Sequence, residues 1–401
     1  VNAQTFPHNA NYIVAENASS LTIGKASNTA NITMDAATTV AGPITVYGGT
    51  INIDANLTST ATTGTGISLN GQKITQAAGV SAITSGSNID YLVTNSPWTA
   101  AADIGISLNS ANGTKSTINA QGGNIVINSA FATTGTNNSA SNQEFGISIA
   151  STDILTTNTG TISINGDIFN NASTAGQFSW GVDLRAGTVI RTASGAINIT
   201  GRGGKTLGNS RGIASNTTNL QVLSSSGAIT FNDLSPTGNT SYNGMYFRPS
   251  SANAIKIGAD GSTVASSSSN ISFNADKITF EQGDVQVSTS GKVIIAPEGA
   301  SFGAEFSNTS LNLSSNVSEL VLGKSTNTQN ITLGRATTIA GPITAFGGNI
   351  SVNENLNTNA GAANGDILLK SSGDIILAAF KSITTTGGDV ILWSNSDNET
   401  T

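Results

Sequence analysis

Residues 146–257 repeat one short pattern almost four times, and this repeat limits what the chain can fold into. Gly146 precedes Ile147 and Ile149; Gly181 precedes Val182 and Leu184; Gly212 precedes Ile213; Gly244 precedes Met245 and Phe247. A second apolar pair follows in each copy: Ile154 with Leu155, Val189 with Ile190, Leu220 with Val222, Ile255 with Ile257. In the first three copies a glycine then introduces a third pair: Gly160 with Ile162 and Ile164, Gly195 with Ile197 and Ile199, Gly227 with Ile229 and Phe231. Most pairs sit at i and i+2, the period of a strand with one buried face. Gly, Asn, Ser and Thr between them supply turns. The opening recurs earlier at Gly66 and Gly105, so coils start at 66, 105, 146, 181, 212 and 244, separated by 39, 41, 35, 31 and 32 residues.

A unit of three short strands cannot bury its apolar face alone and must stack on its neighbours. Stacked coils set equivalent strands in parallel register, with inward Ile, Val and Leu columns as the core. The expected fold is therefore all-β, a right-handed parallel β-helix with three short strands per coil and lateral loop insertions. An antiparallel sandwich also yields many short strands, but it does not predict a repeated three-strand unit. A helical chain is opposed by the absence of any 3.6-residue period and by the β-branched and glycine content.

Composition narrows the class. The 401 residues include no cysteine, one histidine, 45 glycines and 10% charged residues, with 37% hydrophobic. That is too apolar for a disordered chain, and its polar surface must be built from Asn, Ser, Thr and Gly. A formal net charge of −7 leaves no basic patch to neutralise phosphates, so nucleic acid is not expected as a partner. No apolar run is long enough to span a bilayer, and no signal peptide is expected within these residues. With Val1 at the start, the expectation is a segment of a much longer secreted chain.

Taken in order, residues 1–20 read as an irregular lead-in and 21–401 as a continuous β-helix. Within it, 21–65 form short coils, 66–250 long coils with lateral loops, and 251–401 short coils again. Residues 21–57 (LTIGKASNTANITMDAATTVAGPITVYGGTINIDANL) match 320–356 (LVLGKSTNTQNITLGRATTIAGPITAFGGNISVNENL) without a gap, with 21 of 37 positions identical at a separation of 299 residues. A module of about 300 residues, tandem in a parent protein, is implied. The block opens with short strands at 21–23, 32–34, 44–46 and 51–53. Excess length in the long coils falls at 130–145, 169–180, 201–211 and 234–243, and these loops are expected to stack on one edge as a flap.

Motifs for chemistry are weak. Gly299-Ala300-Ser301-Phe302-Gly303 matches a nucleophile elbow, but the one histidine, His8, lies in the lead-in and no helix is expected after Ser301. Gly323-Lys324-Ser325 ends like a phosphate-binding loop, yet residue 318 is Ser where Gly is required; an exposed turn lysine is expected. Acidic residues are scattered. Asp366, Asp374 and Asp389 each follow Gly at a strand start, where a carboxylate accepts backbone N–H groups, so neither a metal site nor a glycosidase pair is expected. No enzymatic activity, catalytic residue or cofactor is expected. The sequons at Asn31, Asn56, Asn198, Asn270 and Asn330 arise by chance in a chain this rich in Asn, Ser and Thr.

The phrase AGPITVYGGTINIDANL, the tail GDILLKSSGDIILAAFKSITTTGGDVILWSNSD and coils such as GVDLRAGTVIRTASGAINITGRGG resemble filamentous-haemagglutinin-like adhesins. These are very large, repeat-rich surface proteins of Gram-negative bacteria. The resemblance covers nearly the whole chain but is one of repeat grammar. It implies a right-handed β-helix fibre, export to the cell surface, and adhesion or cell–cell contact.

Aromatic residues are few, so their placement carries weight. Trp98, Phe131, Phe178, Trp180, Tyr242 and Tyr246 fall in or beside the long loops, where a ring can stack on a sugar or partner side chain or instead cap the core. Arg202, Lys205 and Arg211 form the densest basic cluster and are placed on one loop. Candidate contacts are therefore Trp98, Phe178, Trp180, Arg202, Lys205, Arg211, Tyr242 and Tyr246. Expected partners are neighbouring modules of the same chain, a glycan or protein receptor on a cell surface, and a further copy through self-association. The expected role is a structural and adhesive stalk. Its rivals are a carbohydrate-binding or carbohydrate-active β-helix, a self-assembling filament or sheath, and an ice-binding solenoid, the last lacking a repeating Thr-x-Thr register.

Overall fold

The structure, a computed structural model, describes residues 17–94, 104–109, 114–130, 143–168, 178–204, 209–234, 242–252, 254–359 and 365–396. Every regular element in them is a β-strand, and every assigned pairing is parallel. The fold is a parallel β-helix. The chain forms two compact units, residues 1–214 with 236–242, and residues 215–235 with 243–401; each is taken by itself.

In the first unit the repeat expected from the sequence becomes columns of identical side chains. Ile44 lies in register with Ile67, Ile67 with Ile89, Ile89 with Ile125, Ile125 with Ile162, and Ile162 with Ile197. All six are fully buried. A second column runs Val46, Leu69, Tyr91, Ile127, Ile164, Ile199. Tyr91 is the odd member. Burial pushes its phenol up, and its hydroxyl donates to Gln76 Oε1 at 2.7 Å. Gln76 is itself buried and donates to the Val80 carbonyl at 2.8 Å. The polar group thus carries its partner with it, as burial requires.

The turns between sides are closed by short hydroxyl side chains. Thr84 donates to the Ser87 carbonyl at 2.5 Å, and Thr192 to the Gly195 carbonyl at 2.6 Å. Ser224, in the second unit, accepts from the Gly227 N–H at 2.9 Å. The same i to i+3 spacing recurs because each turn needs one buried polar atom satisfied internally. The glycine before each third strand has a steric cause: a Cβ at Gly195 would collide with the Gly160 carbonyl of the previous rung.

The second unit has columns of the same kind. Ile229, Ile271, Val293, Leu320, Ile343, Ile367 and Val390 form one, and Phe231, Phe273, Ile295, Leu322, Ala345, Leu369 and Leu392 its neighbour. Phenylalanines widen this core locally. Phe231 and Phe273 stack at 5.1 Å, Phe247 and Phe280 at 5.8 Å, and the pairs meet edge to face.

Asparagine has a role that the sequence alone did not reveal. Asn31 Oδ1 accepts the Thr50 N–H at 3.0 Å, Asn56 the Ser81 N–H at 2.8 Å, Asn270 the Lys292 N–H at 3.0 Å, and Asn330 the Asn349 N–H at 2.9 Å. Four of the five sequon asparagines named above therefore bridge one rung to the next. The Gly-Asp openings behave alike at Asp366, whose Oδ1 accepts the Asp389 N–H at 2.8 Å.

Candidate functional site

The long rungs of the first unit are built differently from the short ones. In the strand Ile44–Ile53 buried and half-buried residues largely alternate. In Gln143–Ala150 every residue from 144 to 149 is buried, and in Phe178–Leu184 every one from 181 to 184. The reason lies in the glycines. A Cβ at Gly166 would collide with the Gly181 carbonyl, and one at Gly201 with the Gly212 carbonyl. The strand ending a coil and the strand opening the next thus press backbone to backbone, which only glycine permits. Small residues fill the second face: Ser107, Ser148, Asp183 and Ala214 are successive register partners, all buried.

On these strands lies a column of chemistry-bearing side chains. Phe145, Trp180 and Arg211 are successive register partners. The Phe145 and Trp180 ring centroids are 5.3 Å apart, and the Arg211 guanidinium lies 5.1 Å over the Trp180 ring. Trp180 Nε1 donates to the Asn209 carbonyl at 2.9 Å. Arg185 lies 5.1 Å over Phe145 and pairs with Asp183, whose carboxylate also accepts from Ser148 Oγ at 3.3 Å. Burial pushes the Asp183 carboxyl up, and Arg185 and Ser148 partly offset it. Beside this column Arg202 grips Asp167 with two nitrogens, Nε at 2.9 Å, a planar fork suited to a carboxylate.

The expected contact residues fall out as follows. Trp180 and Arg211 are brought together, on strands and not in a loop. Arg202 ends the strand Ile197–Arg202 and Arg211 lies on Ser210–Thr217, so the single basic loop expected from the sequence is corrected: ladder pairing absorbs both arginines. Phe178 opens the strand Phe178–Leu184, in register with Gln143. Tyr242 is buried. Tyr246, in the second unit, is buried on Met245–Pro249 and donates to Glu281 Oε2 at 2.8 Å. Trp98, Phe131 and Lys205 lie outside the described residues.

Other motifs resolve into structure. The Ser301 hydroxyl bonds Asn327 Oδ1 at 2.9 Å and the Phe302 carbonyl at 3.2 Å. Lys324 is half-buried instead of exposed, because its Nζ donates to the Glu298 and Gly299 carbonyls at 2.9 and 2.8 Å. A groove of about 500 Å³ in the second unit is lined by Ser225, Ser267, Ser288, Thr289, Ser314 and Asn316, a neutral hydroxyl surface. Among the described residues no three of His, Cys, Asp or Glu come together as a metal site, and no helix is long and apolar enough to cross a membrane.

The arrangement offers a guanidinium–aromatic stack and ion pairs locked into strand register. It can hold shape and make contacts. No protein-family model matches this chain, and neither the curated proteins nor the solved structures compared with it match.

Proposed function

We propose that this chain is a structural and adhesive segment of a very large secreted protein of the bacterial cell surface, akin to the filamentous-haemagglutinin-like adhesins. In this role it forms a stiff β-helical stalk that supports attachment to a surface or to another cell. The observation that carries the proposal is the columnar register of each unit. Hydrogen bonds between rungs run along the stack, so a pull along that axis is shared by several ladders per rung, and stability arises from nearest neighbours. Surface chemistry supports the same role: neutral Asn, Ser and Thr outside, and, among the described residues, ion pairs that mostly link one rung to another, as Lys115 with Asp153. The long rungs, with their Phe145–Trp180–Arg211 column, are the candidate adhesive edge, and an uncharged or anionic glycan or a protein receptor is the matching ligand class.

The test is a binding screen of the purified chain against a glycan array and whole bacterial cells, beside a variant carrying Trp98→Ala and Trp180→Ala. Binding by the parent chain that the variant loses assigns adhesion to the long rungs. Absence of binding in both leaves a passive stalk and removes the adhesive part of the proposal.

A further inference from the structure

In the second unit one corner of the coil is much wider than its neighbours. Five residues, 224–228, join the strand Leu220–Leu223 to Ile229–Asp233, and three, 289–291, join Val285–Ser288 to Lys292–Ala296. On the rung between them twelve residues, 259–270, join Ile255–Gly258 to Ile271–Asn274. A wide corner stacked on a narrow one overhangs it. The space beside the overhang is the groove of about 500 Å³, which crosses four rungs, from Ser225 through Ser268 and Ser290 to Asn316.

The overhang is held in place. Asp260 Oδ1 accepts the Val264 N–H at 2.7 Å and the Ser262 N–H at 3.1 Å, and Val264 is buried with Leu223 and Ala259. Among the described residues none that lines the groove is charged or aromatic; the walls are hydroxyls, one amide and the methyls of Ala259 and Ala265. Several hydroxyls are aimed by the main chain. Thr289 Oγ1 donates to the Ser269 carbonyl at 2.7 Å, Ser314 Oγ to the Thr289 carbonyl at 3.0 Å, and Ser268 Oγ to the Ser225 carbonyl at 3.3 Å. A hydroxyl that has spent its proton in this way keeps lone pairs for a further donor. Ser266 and Asn316 are exposed, and their side chains have no hydrogen-bond partner among the described residues.

These walls select among ligands. An anion meets no cation there and a cation no carboxylate. An apolar molecule would strip water from the hydroxyls without replacing it. A peptide strand meets no free ladder, because the Ser268 N–H already donates to the Ser225 carbonyl and the Ser290 N–H to the Ser267 carbonyl, each at 2.8 Å. A neutral sugar brings O–H donors for the serine lone pairs, acceptors for the Asn316 amide, and C–H faces for the two alanines. The volume falls within the range of small-ligand sites, roughly 300–1,000 Å³. We propose that this groove binds a short uncharged oligosaccharide. The groove lies in the second unit and the Phe145–Trp180–Arg211 column in the first, so the two readings stand separately.

The test is saturation-transfer NMR and calorimetry on the whole chain with maltotriose, cellotriose and triacetylchitotriose, beside trigalacturonate as the anionic comparison. A few neutral hydrogen bonds in an open groove correspond to a dissociation constant of about 1 mM for at least one uncharged sugar, with trigalacturonate clearly weaker. Ser266→Trp, which puts a ring into the groove, is expected to weaken binding by about tenfold or more. Asn316→Ala removes one neutral hydrogen bond and is expected to weaken it about fivefold. Thr263→Trp, on the same overhang but outside the lining, is expected to bind as the parent does. Each variant is first shown to keep the β circular-dichroism spectrum of the parent. The proposal is overturned if none of the uncharged sugars binds, if trigalacturonate binds as well as they do, or if Ser266→Trp and Asn316→Ala bind like the parent. A loss in Thr263→Trp equal to that in Ser266→Trp marks a disturbed loop and overturns it too. Trp180→Ala separates the two sites: sugar binding lost there and kept in Ser266→Trp belongs to the long rungs and sinks the groove, whereas the reverse supports the groove whatever the chain does with whole cells.

Discussion

Residues 21–57 and 320–356 are two copies of one sequence held in two separate units, and nearly every local contact of the first is found in the second. Asn28 Nδ2 donates to the Tyr47 carbonyl at 2.8 Å; Asn327 Nδ2 donates to the Phe346 carbonyl at 2.8 Å. Asn31 and Asn330 bridge to the next rung alike. Gly24 and Gly323 hold φ of 77° and 79°, the left-handed region that favours glycine. Strands match at an offset of 299: Ile32–Met34 with Ile331–Leu333, and Thr38–Val40 with Thr337–Ile339. What differs is the neighbourhood. Leu320 rests on Lys292–Ala296 and is 1% exposed, whereas Leu21 is half-buried. Local sequence dictates the turns, caps and bridges of a rung, while the adjacent rung decides how much each apolar residue contributes.

The strongest test of that division is a paired truncation. Leu320→Ala is expected to cost about 2–5 kcal/mol, the range for a buried leucine in a packed core. Leu21→Ala is expected to cost less than half of that, since part of its surface is already wet. Urea unfolding of both variants, with fits for each unit's transition, reads the difference. Equal losses would show that the neighbouring rung does not set the contribution.

A smaller effect is expected at the two turn asparagines. Asn28 makes one bond to the Tyr47 carbonyl and accepts from the Ala30 N–H. Asn327 makes the equivalent bonds and also accepts from Ser301 Oγ and the Phe302 N–H. Replacing Asn327 by Ala therefore strands more buried groups, at about 1–3 kcal/mol, and is expected to exceed Asn28→Ala. Melting temperatures of the two variants rank them. The finding also marks the limit of what the sequence showed. Apolar pairs at i and i+2 announced the strands, the inward columns and the repeat, because burial on one face leaves a period of two. The bridging asparagines looked like composition, since an amide that links two rungs leaves no period within either. The double burial of the long rungs was hidden for a related reason: Ser148 and Asp183 are polar, and only the contact between Gly166 and Gly181 shows that they face protein.

Both short copies lack a buried carboxylate, while the long rungs bury Glu144, Asp183 and Asp233, so the response to pH is expected to differ between the two kinds of rung. The Asp183 carboxyl is raised above its ordinary value by burial. Such a group binds its proton more tightly folded than unfolded, so its contribution favours folding at low pH. That contribution declines as pH climbs from about 4, the unfolded value, through the folded one. Asp183→Asn is expected to flatten the stability curve of the first unit across that window and to leave the second unit unchanged. Denaturant titrations at several pH values measure it; an unchanged slope would show that Arg185 and Ser148 compensate burial in full.

The smallest expected effect lies where the copies differ by a charge. Arg335 stands where the first copy has Ala36, and its guanidinium grips Asp284 with bonds of 2.7 and 2.9 Å. The geometry is bidentate, yet the side chains are 27% and 29% exposed, so water and salt screen the pair. Arg335→Ala, which installs the residue of the first copy, is expected to cost no more than about 1 kcal/mol, and less at high salt. Thr337 Oγ1 donates to the carbonyl of residue 335, as Thr38 does to that of residue 36; these bonds use main-chain oxygen, so the turn survives the substitution. Arg335→Ala should accordingly lower stability slightly at low ionic strength and match the parent chain at about 1 M salt. A loss that persists in salt would mean that Arg335 supports the turn through its packed stem instead of its charge, and the equivalence of the two copies would then fail at this corner.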